Sequence, residues 1–233
     1  MNDIQNKICQ LVAAANPQSP FEFVRKAIAD QAISKLNNDI LICKECPRCS
    51  NIRTICNGSS TSEILIISDS VTEQQAMSQQ TRLAPFELAT EKKVFDITLS
   101  SMNIDTSKIA WMNAVNGAQI VNGRNIAPDQ QTIRKCSYFV KEAVRILNPK
   151  MIILAGNIAL NCFVQDTIYK RHGKMMQVYM MPAFPVYSPT MIKRVKGTLP
   201  DERVFQMQED FIKDMRSAFS FFMRTYPDVK ITM

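Results

Sequence analysis

The sequence predicts a three-layer α/β/α protein built on a short, mainly parallel four-stranded sheet. Two observations support this prediction. The candidate strands are short, continuous apolar runs, and helical segments alternate with them along the chain. Strands that are apolar on both faces are typical of a parallel sheet covered by helices on each side. Ligands bind such sheets beyond the carboxyl ends of the strands, so we expect functional residues there.

Helices are predicted near the N-terminus, over residues 3–14 and 20–36. In the second segment apolar residues recur at nearly helical spacing, Ser19 is a suitable N-cap, and Pro20 occupies the first helical position. A cysteine-rich loop follows and begins with the stretch LICKECPRC.

Strands and helices alternate in the rest of the chain. The predicted strands contain the runs EILIIS, KIAWMNAV, MIILAG and MQVYMMPA. The predicted helices cover residues 91–102, residues 129–147, the segment NIALNCFV after Gly156, and residues 200–225. The segment NGAQIVNGRNIAPD is rich in Asn and Gly and is predicted to be a loop.

This pattern also predicts how the chain is divided. Residues 1–40 form a helical N-terminal extension, residues 41–199 form the α/β domain with the cysteine-rich loop, and residues 200–233 form a closing amphipathic helix packed on it. The closing helix is rich in Met and Phe, so it is either part of the core or a docking face for another protein, and the N-terminal helices are a second candidate face.

Composition restricts the classes of partner. The 233 residues carry a net charge of +7, which favours a polyanion such as DNA because Lys and Arg neutralise phosphates. Apolar runs such as Met151 to Ala155 are far too short to cross a bilayer. The first residues, MNDIQNKICQ, lack the pattern of a secretory signal, so we expect an intracellular, cytoplasmic and DNA-associated protein.

An odd count of seven cysteines argues against a disulfide framework. Metal ligands, buried small side chains and reactive thiols remain as interpretations. Cys162 lies inside an apolar helical segment and is expected to be a core residue.

Several short motifs occur in a defined order. They are Cys43-x2-Cys46 followed by Arg53 and Gly58, ILIIS followed by DSVTEQQ, then APFE, WMNAV, Cys136 in an amphipathic helix, NPKMIILAG and YSPTMIKR. This order resembles the iron–sulfur uracil-DNA glycosylases, family 4 of that superfamily, over residues 43–194. The resemblance implies DNA as the partner and hydrolysis of the N-glycosidic bond of a flipped uracil as the reaction.

The resemblance also implies roles for individual residues. Asp69 would orient the attacking water, Phe86 would stack on the base, and Asn113 would read its edge. Ser188 would give a weak hydrogen bond to the departing uracil. Without the resemblance, Asp69 is interpreted as a helix cap, Phe86 as a core residue and Asn113 as a satisfied buried polar group.

The chain departs from the family at three motifs, one of which is the Gly-rich segment after Pro-Phe, replaced here by ELATEKKVF. Ser188-Pro189-Thr190 stands where the family has His-Pro-Ser, and the turn from Ser68 to Thr72 lacks the family's glycines and proline. The one histidine, His172, lies in the basic stretch YKRHGK and is expected to be solvated.

The resemblance further implies a [4Fe–4S] cluster, with zinc as the alternative and thiols without a metal as a third interpretation. The family's third cysteine position falls near Gly117, which has no thiol. Cys49 is the expected substitute, and Cys56 is a weaker candidate. The ligand set expected is Cys43, Cys46, Cys49 and Cys136.

Basic residues after the Ser188 turn are expected to contact DNA phosphates, which adds salt-dependent affinity without sequence choice. These are Lys193, Arg194 and Lys196. A second basic cluster consists of Lys170, Arg171 and Lys174, and the segment 117–127 carries Arg124.

Three functions follow from these observations. The first is a uracil-DNA glycosylase, active or weakened. The second is a catalytically silent DNA-binding protein or accessory subunit of a replication or repair complex. The third is a zinc-stabilised nucleic-acid module unrelated to glycosylases.

Overall fold

A computed structural model describes residues 20–78 and 80–232. The predicted helix over residues 3–14 and Ser19, the predicted N-cap of the second helix, lie outside the described residues. The described helices are α1 (Pro20–Ile42), α2 (Glu73–Ala76), α3 (Glu91–Ser100), α4 (Gln130–Leu147), α5 (Asn157–Asn161), α6 (Ile168–Arg171), α7 (Pro189–Val195) and α8 (Asp201–Thr225). The described strands are β1 (Cys49–Thr54), β2 (Ile64–Ser70), β3 (Arg82–Leu83), β4 (Ile109–Val115), β5 (Gly117–Val121), β6 (Arg124–Asn125), β7 (Met151–Ala155), β8 (Met176–Val178) and β9 (Met181–Val186).

The central sheet has the strand order β4-β2-β7-β9-β8. Its first four strands are parallel, and β8 pairs antiparallel with β9 at one edge. The register places Ser68 opposite both Asn113 and Ala155, and Ala155 opposite Val186. The carboxyl ends of four strands therefore meet in one row.

A hydrophobic core lies on each face of this sheet because alternate residues of a strand point to opposite faces. Ile64 and Ile66 of β2 join the core beneath α3 and α8, whereas Leu65 and Ile67 join the core beneath α1 and α4. Every residue of β2 is buried. This two-sided burial explains why the strands are continuous apolar runs in the sequence.

The predicted α/β class is confirmed, and the helices over residues 91–102, 129–147 and 200–225 are present with ends shifted by one or two residues. The central sheet contains five strands rather than four. MQVYMMPA was predicted as one strand and instead forms β8 and β9, joined by a two-residue turn at Tyr179 and Met180. Both turn residues have positive φ, at 49° and 67°.

The loop prediction for NGAQIVNGRNIAPD is wrong. Its residues form β5 and β6, which belong to a second sheet with the order β3-β1-β5-β6. Strand β1 comes from the cysteine-rich segment and pairs antiparallel with β5. The signal for this hairpin was present in Asn122-Gly123, a dipeptide that suits a turn with positive φ at both positions.

Helix α1 continues to Ile42, beyond the predicted end at residue 36. Helix α8 buries Phe211, Met215 and Phe219 in the core that also contains Phe95. The division of the chain at residues 40 and 199 stays a prediction. Within the described ranges, no helix has both the length and the apolar content needed to span a membrane.

We expect Phe95→Ala to destabilise the fold strongly. Phe95 is fully buried, and its ring centroid lies 5.2 to 5.4 Å from those of Trp111, Phe86 and Phe211. Loss of a buried aromatic ring costs about 3–5 kcal/mol, measurable by urea unfolding. Ile97→Ala is the control on the same helix, because Ile97 is 71% exposed. Equal unfolding midpoints for the two variants would contradict this account of the core.

Candidate functional site

The candidate site lies at the carboxyl edge of the central sheet. Ser68, Asn113 and Ala155 stand side by side there, and Val186 follows Ala155 in the same row. Helices α5 and α7 begin just beyond the ends of β7 and β9. The sequence predicted this grouping because the carboxyl ends of parallel strands share one edge.

The carboxylate of Asp69 binds the first turn of α5. Its Oδ1 accepts hydrogen bonds from the backbone N–H groups of Ile158 at 2.8 Å and Ala159 at 3.2 Å. Its Oδ2 lies against Gly156, where an added Cβ would stand 2.2 Å away. Gly156 has a φ of +108°, so a side chain there is excluded by both space and conformation. The helix-cap interpretation of Asp69 therefore matches its contacts.

Burial raises the pKa of Asp69 to about 6, and the two backbone hydrogen bonds together with nearby Arg194 limit the rise. The group is therefore largely ionised at neutral pH. Arg194 is exposed on α7, so a solvent-facing cation lies near the buried carboxylate of Asp69.

Both ends of the Asn113 amide are occupied by the protein. Its Nδ2 donates to Thr54 Oγ1 at 2.9 Å, and its Oδ1 accepts from the Ser68 hydroxyl. The side chain is buried and has the contacts of a satisfied internal polar group. Reading a base edge would require Asn113 to exchange at least one of these bonds.

Phe86 is 1% exposed and belongs to the core beneath α3. Its ring centroid lies 5.3 Å from that of Phe95 and 6.4 Å from that of Trp111. The backbone at Phe86 has a φ of +60°, which is uncommon outside glycine. Stacking on a flipped base would require the turn that carries Phe86 to move.

The turn after β9 contains Tyr187 and Ser188, both fully buried. Neither hydroxyl has a hydrogen-bond partner within residues 20–78 and 80–232. Ser188 lies at the N-cap position of α7, but its side chain makes no capping bond. An unpartnered buried hydroxyl remains able to bind a ligand at this edge.

The prediction that His172 is solvated is wrong. Its Nδ1 lies 2.8 Å from Oδ2 of buried Asp214 on α8, and its ring stacks on that of Tyr187 with centroids 4.5 Å apart. Burial raises the pKa of Asp214, and the His172 contact opposes that rise. Sequence reasoning missed Asp214 because it lies 42 residues from His172 along the chain.

The basic residues after Ser188 differ in their contacts. Lys193 Nζ lies 3.1 Å from Oε1 of Glu91 and donates to Thr90 Oγ1 at 3.2 Å. Arg194 and Lys196 are exposed. In the second basic cluster Arg171 pairs with Asp166, and Lys174 Nζ donates to the carbonyl of Lys170.

Four cysteines of the expected ligand set lie near one another. Burial is the main cause that raises the pKa of the Cys136 thiol to about 12. The nearby thiols of Cys46, Cys49 and Cys43 add to this rise. Cys49 Sγ stands 1.9 Å from the point that a Cβ of Gly117 would occupy. The thiol of Cys49 therefore fills the space that a side chain at position 117 would take.

Cys56 lies apart from this group. It belongs to the core beneath α1, and burial alone raises its pKa to about 12. Its backbone exchanges two hydrogen bonds with the Asn37 side chain, each of 2.9 Å. Cys162 lies in the same core, as expected. Within the described chain, no group of three or more His, Cys, Asp or Glu side chains has the spacing to hold a metal ion.

A cavity of about 530 Å³ opens at the other end of β4, away from Asp69. Its walls include Asn57, Pro85 and Trp111. The ammonium group of Lys92 lies 5.5 Å from the centroid of the Trp111 ring. Neither Phe86 nor Asn113 lines this cavity.

Comparison with known proteins places this chain in a family. A model of the uracil DNA glycosylase superfamily matches residues 58–216, which is more than half of the chain. The matched range contains Asp69, Phe86, Asn113 and Ser188, and it begins after the cysteine-rich segment. A comparison with curated proteins finds no match.

We expect Asp69→Asn to change the pH dependence of folding. Because the pKa of Asp69 is raised from 3.8 to about 6, the folded protein holds the carboxyl proton of Asp69 more tightly than the unfolded chain does. The stability that Asp69 contributes below about pH 4 is therefore lost as the pH rises through about 6. The free energy of unfolding of the wild type, relative to Asp69→Asn, should fall by about 3 kcal/mol over this window.

Urea unfolding of both proteins between about pH 4 and pH 7 measures this difference, and contributions from other groups cancel. Parallel pH curves for the two proteins would contradict the raised pKa.

Proposed function

The chain belongs to the uracil DNA glycosylase superfamily, and on this premise we propose that it binds DNA and excises uracil with weakened activity. Membership supports a glycosylase-like function in general, together with DNA repair and hydrolase chemistry. The observation that carries the proposal is the buried Asp69 carboxylate at the carboxyl edge of the sheet, where two backbone N–H groups of α5 hold its Oδ1.

Asp69 is proposed to orient the attacking water. Both backbone N–H groups bind Oδ1, and in the part of the chain that the structure describes Oδ2 receives no protein hydrogen bond. Oδ2 is therefore the oxygen that would hold the water. A pKa of about 6 keeps the group charged at neutral pH, which suits it to stabilise a cationic sugar in the transition state.

The weakened catalytic activity is proposed to arise from three other side chains, those of Asn113, Phe86 and Ser188. Asn113 would read the uracil edge only after releasing Thr54 or Ser68, and Phe86 would stack only after leaving its core contacts. Ser188 would donate a neutral hydrogen bond to the departing uracil where the resembled family has an imidazole. Loss of one such donor costs about 100- to 1000-fold in rate.

A second candidate is a silent family member that binds DNA or serves as an accessory subunit of a replication or repair complex. The contacts of Asn113 and Phe86 favour it, since both side chains are already engaged by the protein. A partner protein would then dock on the N-terminal or C-terminal helices.

DNA binding in either case is proposed to involve Lys193, Arg194 and Lys196. Arg194 is exposed and lies near Asp69, and Lys196 is exposed at the end of α7. Lys193 would exchange its contact with Glu91 for a phosphate. Phosphate contacts by these residues would make the affinity fall steeply with salt.

Release of uracil from single- and double-stranded oligonucleotides, followed by alkaline cleavage, tests the catalytic proposal. We expect slow release by the wild type and at least about a 100-fold loss in Asp69→Asn, because Asp69 would act on the water. Asn113→Ala should also abolish release. Asp228→Asn is the matched control, since Asp228 is an exposed carboxylate that follows α8, far from Asp69 along the chain.

Release that Asp69→Asn leaves unchanged would refute the role of Asp69. Absence of release, with DNA still bound, would establish the silent family member instead. Absence of both release and DNA binding would refute the two candidates together.

We further propose that Cys43, Cys46, Cys49 and Cys136 hold a [4Fe–4S] cluster, with zinc as the alternative. The chemistry of the donors supports this proposal, because four thiols lie near one another and thiolates are the usual ligands of iron–sulfur clusters. In the described residues the four thiols are not at metal-binding spacing, so binding would have to draw them together. The position of Cys49 Sγ over Gly117 supports Cys49 as the substitute for the missing family cysteine. When bound, the group would supply a structural cross-link between the cysteine-rich segment and α4.

Cys49→Ser and Cys56→Ser form a matched pair for this proposal. We expect Cys49→Ser to lose the bound metal and Cys56→Ser to keep it, because Cys56 lies in a separate core. Elemental analysis for iron and zinc and visible absorption of anaerobically purified protein measure the outcome. Equal metal content in the two variants would remove Cys49 from the ligand set, and zinc without iron would identify the alternative.

A further inference from the structure

The cavity of about 530 Å³ beside the first half of β4 has an aromatic wall. Trp111 forms part of this wall and is 7% exposed. The rings of Phe95 and Phe86 pack edge to face with it, with centroids 5.2 Å and 6.4 Å away. Because these contacts already fix the indole, a flat ligand could bind it at little cost in ordering.

Asn57 lies directly beside Trp111. The N–H of Asn57 donates to the carbonyl of Trp111 at 2.9 Å, and the N–H of Trp111 donates to the carbonyl of Asn57 at 2.7 Å. Two residues that exchange both backbone bonds in an antiparallel bridge have their side chains on the same face. The amide of Asn57 and the ring of Trp111 are therefore neighbours in the cavity wall.

Both side chains retain unused hydrogen-bonding groups. Within the described chain, neither the Asn57 amide nor the indole N–H of Trp111 makes a hydrogen bond. The amide of Asn113 differs, because Thr54 and Ser68 occupy both of its ends. An amide presents a donor and an acceptor side by side, which is the pattern that pairs with the edge of a nucleobase.

The rest of the cavity suits the size and polarity of a nucleoside. Small-molecule sites commonly have volumes of about 300–1,000 Å³ and combine apolar walls with a few polar groups. Lys92 Nζ lies 5.5 Å from the centroid of the Trp111 ring, and its side chain is 39% exposed, so a stacked base would displace this ammonium into solvent. Hydroxyl groups that suit a sugar come from Ser59, Thr106 and Ser107.

We propose that this cavity binds a nucleobase, which stacks on Trp111 and pairs at its edge with the Asn57 amide. The same recognition applies to the base of a free nucleoside and to a base within a single strand. Neither Asp69 nor Asn113 lines the cavity, so the inference goes beyond the proposed excision of uracil and does not rest on it.

Tryptophan fluorescence tests the proposal directly, because Trp111 is the one tryptophan of the chain. Titration with adenosine or uridine should quench the emission to saturation, and ribose should leave it unchanged. Asn57→Ala should weaken nucleoside binding at least about tenfold, through loss of the paired base edge. A tetramer of deoxyadenosine tests a base within a strand, and tighter quenching by the tetramer than by adenosine would identify the strand as the source.

Asn51→Ala is the matched control. Asn51 is exposed on β1 and does not line the cavity, so this variant should bind like the wild type. Urea unfolding of both variants shows whether the fold is retained. If Asn57→Ala does not fold, Asn57→Asp replaces it, since Asp keeps the shape of the side chain and loses the amide donor.

Saturable quenching that Asn57→Ala weakens and Asn51→Ala leaves unchanged would support the nucleobase site. Equal affinities in the two variants, quenching by ribose, or no saturable quenching by the nucleosides and the tetramer would overturn it. Uracil release is measured separately with Asp69→Asn, so a failure of this inference is distinguishable from a failure of the proposed function.

Discussion

The hydrogen bonds between Asp69 and the first turn of α5 organise the carboxyl edge of the sheet. A buried carboxylate is costly unless hydrogen bonds compensate for the lost water. Here the N–H groups of Ile158 and Ala159 supply that compensation, and they are donors that a helix start leaves unpaired. The arrangement needs Gly156, because any side chain there would collide with the carboxylate. The end of β2 is thereby tied to the element that follows β7.

The same edge shows why membership in a glycosylase superfamily does not determine the level of activity. A polar side chain that reads a base must be available, whereas a polar side chain that supports a fold must be satisfied. Asn113 is satisfied by Thr54 and Ser68, and Phe86 contributes its ring to an aromatic core. These contacts stabilise the chain and compete with ligand binding. Two candidate groups, Asp69 Oδ2 and the Ser188 hydroxyl, have no protein hydrogen bond in the described structure.

The cysteine-rich segment is joined to the fold through the second sheet. Strand β1 begins at Cys49 and pairs with β5, which begins at Gly117. Because Gly117 has no side chain, the Cys49 thiol can occupy that space next to Cys136 on α4. The absence of a thiol at Gly117 and the presence of one at Cys49 are thus connected by a strand pairing.

The sequence by itself determined the α/β class, the central strands and the long helices. Those features depend on local periodicity: β2 is apolar on both faces, and α8 repeats Phe and Met residues at helical spacing. It also placed Asp69, Asn113 and Ser188 at one edge, since that follows from strand direction alone. The tertiary structure decided the β5–β6 hairpin, the split of the last predicted strand, and the pairing of His172 with Asp214. His172 and Asp214 lie 42 residues apart, and the residue pattern of a single segment carries no information about such a partner. The two hairpins are local, and for the first of them the dipeptide Asn122-Gly123 was a signal that the sequence did contain. The burial of Phe86 was also decided by the tertiary structure, because its ring packs against those of Phe95 and Trp111.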